Sequence, residues 1–324
     1  MMRHPRVFVT GSLWSLLTYL LVSSEEEIVR TKYFFTDKGI HESVRKNFNH
    51  HVLNISWDDK VHWRLTQLIY IFGPLYYRIR FPYLMFADIY GIDQGWAIRS
   101  VIGRNEYTLI EDGILDYTVN RDIPDQSRDW LRRFLWGPVY KHDFGRNAKC
   151  KHIILTQPFS NPVLAKKAKR YDLSELWKNA SETKRILILD KFNLTQEDVA
   201  LMSKRPVILL TQALSEDGIF SEKEKIEFYR EMVKPYGLEN VLIKPHPRER
   251  TNYKESIPEC MTMDKIVPFQ LFSLLGLNFR TVVTVCSGSA LSLQNSDVII
   301  DFKGSEIDTR IVAKYGVITK ESYM

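Results

Sequence analysis

The sequence predicts an α/β fold of parallel strands in two domains, and three observations carry that prediction. Short apolar runs recur along the chain, continuous rather than alternating, as strands covered on both faces require. Helix-length stretches separate them, which is the rhythm of βαβ units. At 324 residues the chain is also about twice a ~150-residue domain. A hydrophobic share of 44% is enough to build two cores.

The elements follow in order. Arg6-Val7-Phe8-Val9-Thr10 is β-rich and stops at Gly11-Ser12. Leu13 to Val22 reads as a helix, Glu25-Glu26-Glu27 follows, and Lys32 to Thr36 is the next strand. This βαβ opening puts Gly11 and Ser12 in a loop over a ligand cleft. With Arg3, His4 and Arg6 ahead of it, the apolar run superficially resembles a signal peptide. The run is too short for a bilayer, which takes ~20 residues, so the βαβ parse is preferred to cleaved export. Val52 to Ile55, Tyr107 to Ile110 and His152 to Leu155 read as further strands of the first half.

The polar stretch from Lys166 to Lys184 is the expected connection, giving domains 1–175 and 176–324. Arg185 to Asn193 suits strand and helix equally. Val207 to Thr211, Val241 to Lys244, Val282 to Val285 and Val298 to Asp301 read as the strands of the second half. Between the first two of these, Ser221 with Glu224 forms a capping box. It opens a helix that runs to about Tyr236 and stops at Gly237.

Composition excludes several classes. A net charge of +6 suits anionic substrates or an anionic membrane surface, and no Lys/Arg block is long enough for a nucleic-acid arm. The three cysteines, Cys150, Cys260 and Cys286, lie far apart with no CxxC. That argues for a reducing compartment and against a disulfide framework or a zinc site. No Asp-x-Asp occurs.

The most informative run is Val241-Leu242-Ile243-Lys244-Pro245-His246-Pro247-Arg248-Glu249. A strand stops at a His set between two prolines, with Lys244 and Arg248 on either side. Open α/β sheets keep their ligands at strand carboxyl ends. A titratable group between two cations suits a phosphate-bearing ligand. The same residues also suit a rigid, charged turn. Asp217-Gly218 follows the strand Val207 to Thr211 and shares a cleft with His246 if the two strands are neighbours. Glu111-Asp112-Gly113 ends another strand, and in both places Asp-Gly also reads simply as a turn. Cys286-Ser287-Gly288-Ser289-Ala290 leads from a strand into a helix, a natural phosphate cradle or ordinary N-capping.

In that order, Glu111-Asp112-Gly113, then His246-Pro247, then Ser287 and Ser289, the chain resembles the bacterial sialyltransferases. Its opening Val7-Phe8-Val9-Thr10-Gly11-Ser12 and its Leu209-Leu210-Thr211-Gln212 are similar to glycosyltransferase family 52, the lipooligosaccharide and capsular sialyltransferases. The small-residue motif departs from a plain Ser-Ser pair. The resemblance implies a GT-B fold of two Rossmann-like domains facing one another across a cleft. Domain 1–175 would be the acceptor side and 176–324 would bind the nucleotide sugar.

It further implies inverting, metal-independent transfer of sialic acid from CMP-sialic acid to a galactose-type hydroxyl of a surface glycan, lipooligosaccharide or capsular polysaccharide. No cofactor is expected beyond that donor substrate. His246 would donate to the departing phosphate oxygen. Lys244, Arg248 and the Ser287-Gly288-Ser289 turn would hold the phosphate, with Pro247 fixing the loop. Gly11, Ser12, Glu111, Thr211 and Gln212 would line the substrate site, and either Asp112 or Asp217 would take the acceptor proton.

Trp63 to Phe86 is basic and aromatic, broken by Gly73, Pro74 and Pro82. It suits peripheral contact with the inner face of the cytoplasmic membrane, or a core helix with a solvated face. The expected location is cytoplasmic, the partners are donor and glycan acceptor without nucleic acid, and the resemblance allows a homodimer. Two other readings stay open: a GT-B enzyme using another nucleotide sugar such as a hexose donor, and a non-catalytic membrane-surface scaffold for glycan assembly.

Overall fold

The computed structural model describes residues 4–53, 63–112, 144–157, 162–292 and 297–323, together with Trp130 and Phe134. The chain divides into two compact units, Met1–Lys191 and Phe192–Met324. The polar stretch expected to connect them is built into the first unit as the helices Leu173–Asn179 and Glu182–Lys191. Asp172 caps the first of these helices, which buries Leu173 and Trp177 and packs on the helix Leu13–Val22. The division accordingly falls after Lys191 rather than at 175/176.

The first unit is built on β1 (Arg6–Thr10), β2 (Lys32–Thr36), β3 (His50–Leu53), β4 (Asp88–Gly91), β5 (Tyr107–Ile110), β6 (Cys150–Leu155) and β7 (Ala168–Arg170). They form one parallel sheet in the order β3-β2-β1-β4-β5-β6-β7. Val7, Phe8 and Val9 of β1 are wholly buried because helices cover both faces of the sheet. Phe8 stacks on Tyr19 at 4.2 Å between ring centroids. The apolar N-terminal run is therefore core: Ser12 caps it, and Ser15 to Leu21 are buried. Glu25–Arg30, given no element by the sequence pattern, forms a helix opened by a Ser24–Glu27 capping box.

The second unit holds β8 (Val207–Leu210), β9 (Val241–Lys244), β10 (Met261–Thr262), β11 (Thr281–Thr284) and β12 (Ile299–Phe302). Their order is β10-β9-β8-β11-β12, again parallel. The helix Glu222–Val233 is capped by Ser221 and Glu224, and the chain turns at Gly237 with φ 76°. Each unit winds outward in both directions from its first strand. The strand order therefore reverses between β1 and β4 in one unit and between β8 and β11 in the other. A ligand crevice opens at the carboxyl ends of the strands flanking such a reversal.

Two elements differ from expectation for readable reasons. Of the stretch Arg185 to Asn193, Arg185 to Lys191 is helix and the last two residues turn, because Ser181 bonds the Lys184 amide and the helix buries one face, Ile188 and Leu189. β4 has no apolar run to announce it, yet it sits beside β1 at the reversal. Gly91 makes that approach feasible: it has φ 146°, and a Cβ there would lie 2.0 Å from the Val9 carbonyl oxygen.

Candidate active site

In the second unit, the loops after β8, β9 and β11 bring most of the candidate residues to one edge. β8 and β9 are direct neighbours, with Leu210 opposite Lys244, so the Asp217 loop and the His246 loop emerge side by side. The His246 amide donates to Glu249 Oε2 at 2.6 Å and to Thr211 Oγ1 at 3.1 Å. The Arg248 amide donates to His246 Nδ1 at 3.2 Å. That bond occupies Nδ1 as an acceptor, so the proton of the neutral ring sits on Nε2. Burial, then Arg248 and Lys244, push the imidazole down to about 4. Burial likewise lowers the Lys244 ammonium to about 8. Burial is the larger cause in both cases, and the cations beside His246 add an environment that favours an anion.

Asp217 is gripped from two directions. Arg248 forms a bidentate ion pair with it at 2.7 and 2.9 Å, and the Tyr315 hydroxyl donates to Oδ2. The Arg248 hydrogen bonds hold this carboxyl down at about 2. Gly218, at φ 73°, makes the turn that the dipeptide suggested, so Asp217-Gly218 is both a turn and a charged contact. Thr211 and Gln212 are tied to their own unit. The Thr211 amide donates to the Lys244 carbonyl at 3.3 Å, and the Gln212 amide to Tyr229 Oη at 2.7 Å.

After β11, Thr284 Oγ1 donates to the Leu210 carbonyl at 3.1 Å and accepts from the Ser287 amide at 3.1 Å. It stitches the strand ends on the two sides of the reversal. Ser287 and Gly288 are half-buried there and Ser289 is exposed. The helix expected at this motif is a short 3-10 turn, Gly288–Ser292, over the described residues. The turn accordingly offers loop amides and hydroxyls rather than the end of an α-helix macrodipole.

The first unit places Gly11, Ser12, Glu111 and Asp112 at the carboxyl ends of β1 and β5. A Cβ on Gly11 would lie 2.5 Å from Thr36 Oγ1, which fixes glycine at this crossing. Glu111 is buried, and its carboxylate accepts from Trp14 Nε1 at 2.7 Å, the Thr156 amide at 2.8 Å and the Thr156 hydroxyl at 2.5 Å. It braces the sheet edge from inside, whereas its neighbour Asp112 has a raised affinity for protons. Burial pushes Asp112 up to about 6, partly countered by a hydrogen bond from Ser12. Gly113 lies outside the described residues.

Three residues that the motifs did not single out belong to the second-unit edge: Glu249, Lys225 and Tyr315. Glu249 was written in the His-Pro run but had no pattern to mark it. Lys225 and Tyr315 reach the edge from helices distant in sequence. Among the described residues, no group of three or more His, Cys, Asp or Glu is disposed to hold a metal ion. No helix there is long and apolar enough to cross a membrane. The basic-aromatic stretch forms the helix Trp63–Arg80 and a 3-10 turn, Pro82–Phe86. Phe72, Leu75, Tyr76 and Ile79 stand exposed on one stripe of that helix, while Arg78 is turned inward onto the carbonyls of Ser100, Val101 and Ile102.

Known proteins agree with this architecture. A 2,6-sialyltransferase from Photobacterium sp. JT-ISH-224, solved with CMP and lactose, superposes with a TM-score of 0.53 at 12% identity, covering 98% of this chain and 77% of that one. The α-2,3-sialyltransferase of Photobacterium phosphoreum gives 0.51 at 11% identity, with 95% and 94% covered. The GT-B domain of a Photobacterium damselae sialyltransferase gives 0.51 at 13%, with 95% of each chain covered. At such identities the likeness concerns the fold, which is GT-B. An uncharacterized protein of Haemophilus influenzae is 32% identical over 234 residues, 72% of this chain and 73% of its own. The profile of glycosyltransferase family 52 matches residues 91–310, a span that includes Asp112, Asp217, His246 and the Ser287 turn. That match spans more than half of the chain, so the protein belongs to glycosyltransferase family 52 and is a glycosyltransferase.

Proposed function

We propose that this glycosyltransferase moves sialic acid, with inversion and without a metal, from CMP-sialic acid to a galactose-type hydroxyl of a surface glycan. One observation carries the reading: His246 is held on a stiff strand-end loop between two cations, with the Arg248 amide on Nδ1 and the proton on Nε2, and burial together with those cations keeps it neutral. A phosphate seated against Lys244 and Arg248 offsets their field, and its own negative charge raises the ring's affinity for a proton. The bond from the tertiary anomeric carbon to the phosphate oxygen breaks through an oxocarbenium-like transition state. Stabilising the departing phosphate is therefore the main catalytic task. His246 donates to that oxygen, Lys244, Arg248 and the Ser287-Gly288-Ser289 loop hold the phosphate, and Thr211 and Gln212 border the nucleotide.

The acceptor hydroxyl must lose its proton, and two carboxylates qualify on different observations. Asp112, lifted to about 6, has the strength of a general base that works near neutral pH. Asp217 lies beside His246, and becomes a competent base once the donor's negative charge draws Arg248 away from it. A second feature bears on the acceptor. The exposed stripe Phe72, Leu75, Tyr76 and Ile79 suits peripheral contact with the membrane that carries a lipid-linked glycan. Pelleting with anionic vesicles, abolished in Leu75→Glu/Ile79→Glu, is the expected result.

The deciding experiment is incubation with CMP-sialic acid and lactose in EDTA, following CMP release and product mass. A sialylated product supports donor, class and metal independence together. Absence of both signals, with turnover of another nucleotide sugar, refutes the donor.

A further inference from the structure

We infer that Glu249 is a positioning residue for the transfer, acting through His246 from beneath the loop; this rests on the role of His246 proposed above. Its side chain is fully buried, yet it sits three residues after the imidazole it serves. One oxygen, Oε2, accepts the His246 amide at 2.6 Å and the Thr211 hydroxyl. The other, Oε1, accepts the Tyr253 hydroxyl at 2.7 Å and lies 3.5 Å from Lys225 Nζ. The Glu249 amide in turn donates to the His246 carbonyl at 2.9 Å, which closes a ring around the loop.

A second carboxylate works on the other end of the same segment. Glu216 accepts the Arg250 amide at 2.7 Å and pairs with Lys225 at 3.0 Å. Lys225 is itself wholly buried, so one lysine joins the two carboxylates that grip the loop. The consequence is specific. The backbone at His246 cannot shift relative to β8 without breaking charge-assisted bonds to a buried carboxylate, where each is costly to lose. A proline on either side leaves the loop few amides of its own, so outside acceptors must fix the ring's position. A carboxylate does this better than an amide. It accepts from the amide and the hydroxyl at once and offers no competing donor.

Glu249→Gln, in the full chain, tests the inference. Placement errors of about 1 Å cost on the order of 10²-fold. We expect kcat to fall by about 10- to 100-fold, with the KM for CMP-sialic acid and the affinity for CMP changing by less than about threefold. In a His246→Ala background the same change should cost less than about twofold more, because the group it positions is gone. Equal losses in the two backgrounds, or an unchanged kcat in a folded Glu249→Gln, overturn the proposal. Tyr253→Phe removes the hydroxyl that orients Oε1 and gives a milder form of the same test should Glu249→Gln not fold. If the wild type transfers no sialic acid, the donor assignment fails separately. The inference is then read from the imidazole nitrogen resonances of His246, which must lose their single Nε2–H tautomer in Glu249→Gln.

Discussion

Lys225→Met in the second unit isolates the strongest electrostatic feature of the molecule. The ammonium is wholly buried and lies 3.0 Å from Glu216, 3.3 Å from Glu222 and 3.5 Å from Glu249. With an effective dielectric of ~20 each contact represents ~5 kcal/mol of gross attraction. Desolvation of the buried groups cancels most of that sum, and half-exposed Glu222 adds little. Removing the cation, however, leaves the buried Glu249 carboxylate without its counter-charge, and breaking a buried pair this way costs ~3–5 kcal/mol. Divided by a urea slope of ~2 kcal/mol per molar, the unfolding midpoint should fall by ~1.5–2.5 M. Far-UV circular dichroism during urea titration reads it. Lys225→Met/Glu249→Gln should regain at least ~1 kcal/mol relative to the single variant, since the orphaned charge is gone. A midpoint shift under ~0.5 M, or purely additive losses, would refute the view that this network is a mutually dependent unit.

The two candidate bases separate by pH. If Asp112 accepts the proton, the acidic limb of kcat/KM lies near pH 6 and vanishes in Asp112→Asn, with a loss of ~10²- to 10⁴-fold; if Asp217 does, no such limb appears there. Asp112→Asn should also stabilise the fold above pH 6 and do so less and less as pH falls toward 4. The wild-type carboxyl is raised by burial, so its penalty exists only when it is ionised. The imidazole of His246 starts near 4, and nuclear magnetic resonance titration should show it rising by at least about one unit when CMP binds; an unmoved value would place the phosphate elsewhere. Gly91→Ala should cost on the order of 4 kcal/mol, because its Cβ would meet the Val9 carbonyl at 2.0 Å, whereas Gly218→Ala, with open space around it, should cost only ~1. Thermal unfolding of the two side by side checks the contrast.

Much of this fold could be read directly, and the reason is local. Arg6–Thr10, Leu13–Val22, Lys32–Thr36, Tyr107–Ile110 and Val241–Lys244 fall where the apolar runs and their Ser, Gly and Pro boundaries put them. A buried parallel strand needs a continuous apolar run, and a helix needs a cap, so each leaves a mark in adjacent residues. The same logic marked His246, because prolines on both sides declare a rigid loop. Short or polar pieces such as Asp88–Gly91 and Ala168–Arg170 left no such mark, since their pairing partners supply what their own side chains lack.

What only the tertiary structure decided is the division of labour among carboxylates that look alike in the sequence. Glu111 and Asp112 are neighbours, yet one is consumed by Trp14 and Thr156 while the other is left with a raised affinity for protons. Asp217 reads in the sequence as a candidate base or a turn residue; it does make the turn, and the adjacency of β8 and β9 also hands it Arg248. Glu249 was hidden in plain view, because its meaning depends on Lys225, Thr211 and Tyr253 arriving from separate elements. Residue type and local pattern set where strands, helices and stiff loops form. Charge state and hydrogen-bond partners depend on burial and on groups far away along the chain, which only folding brings within reach.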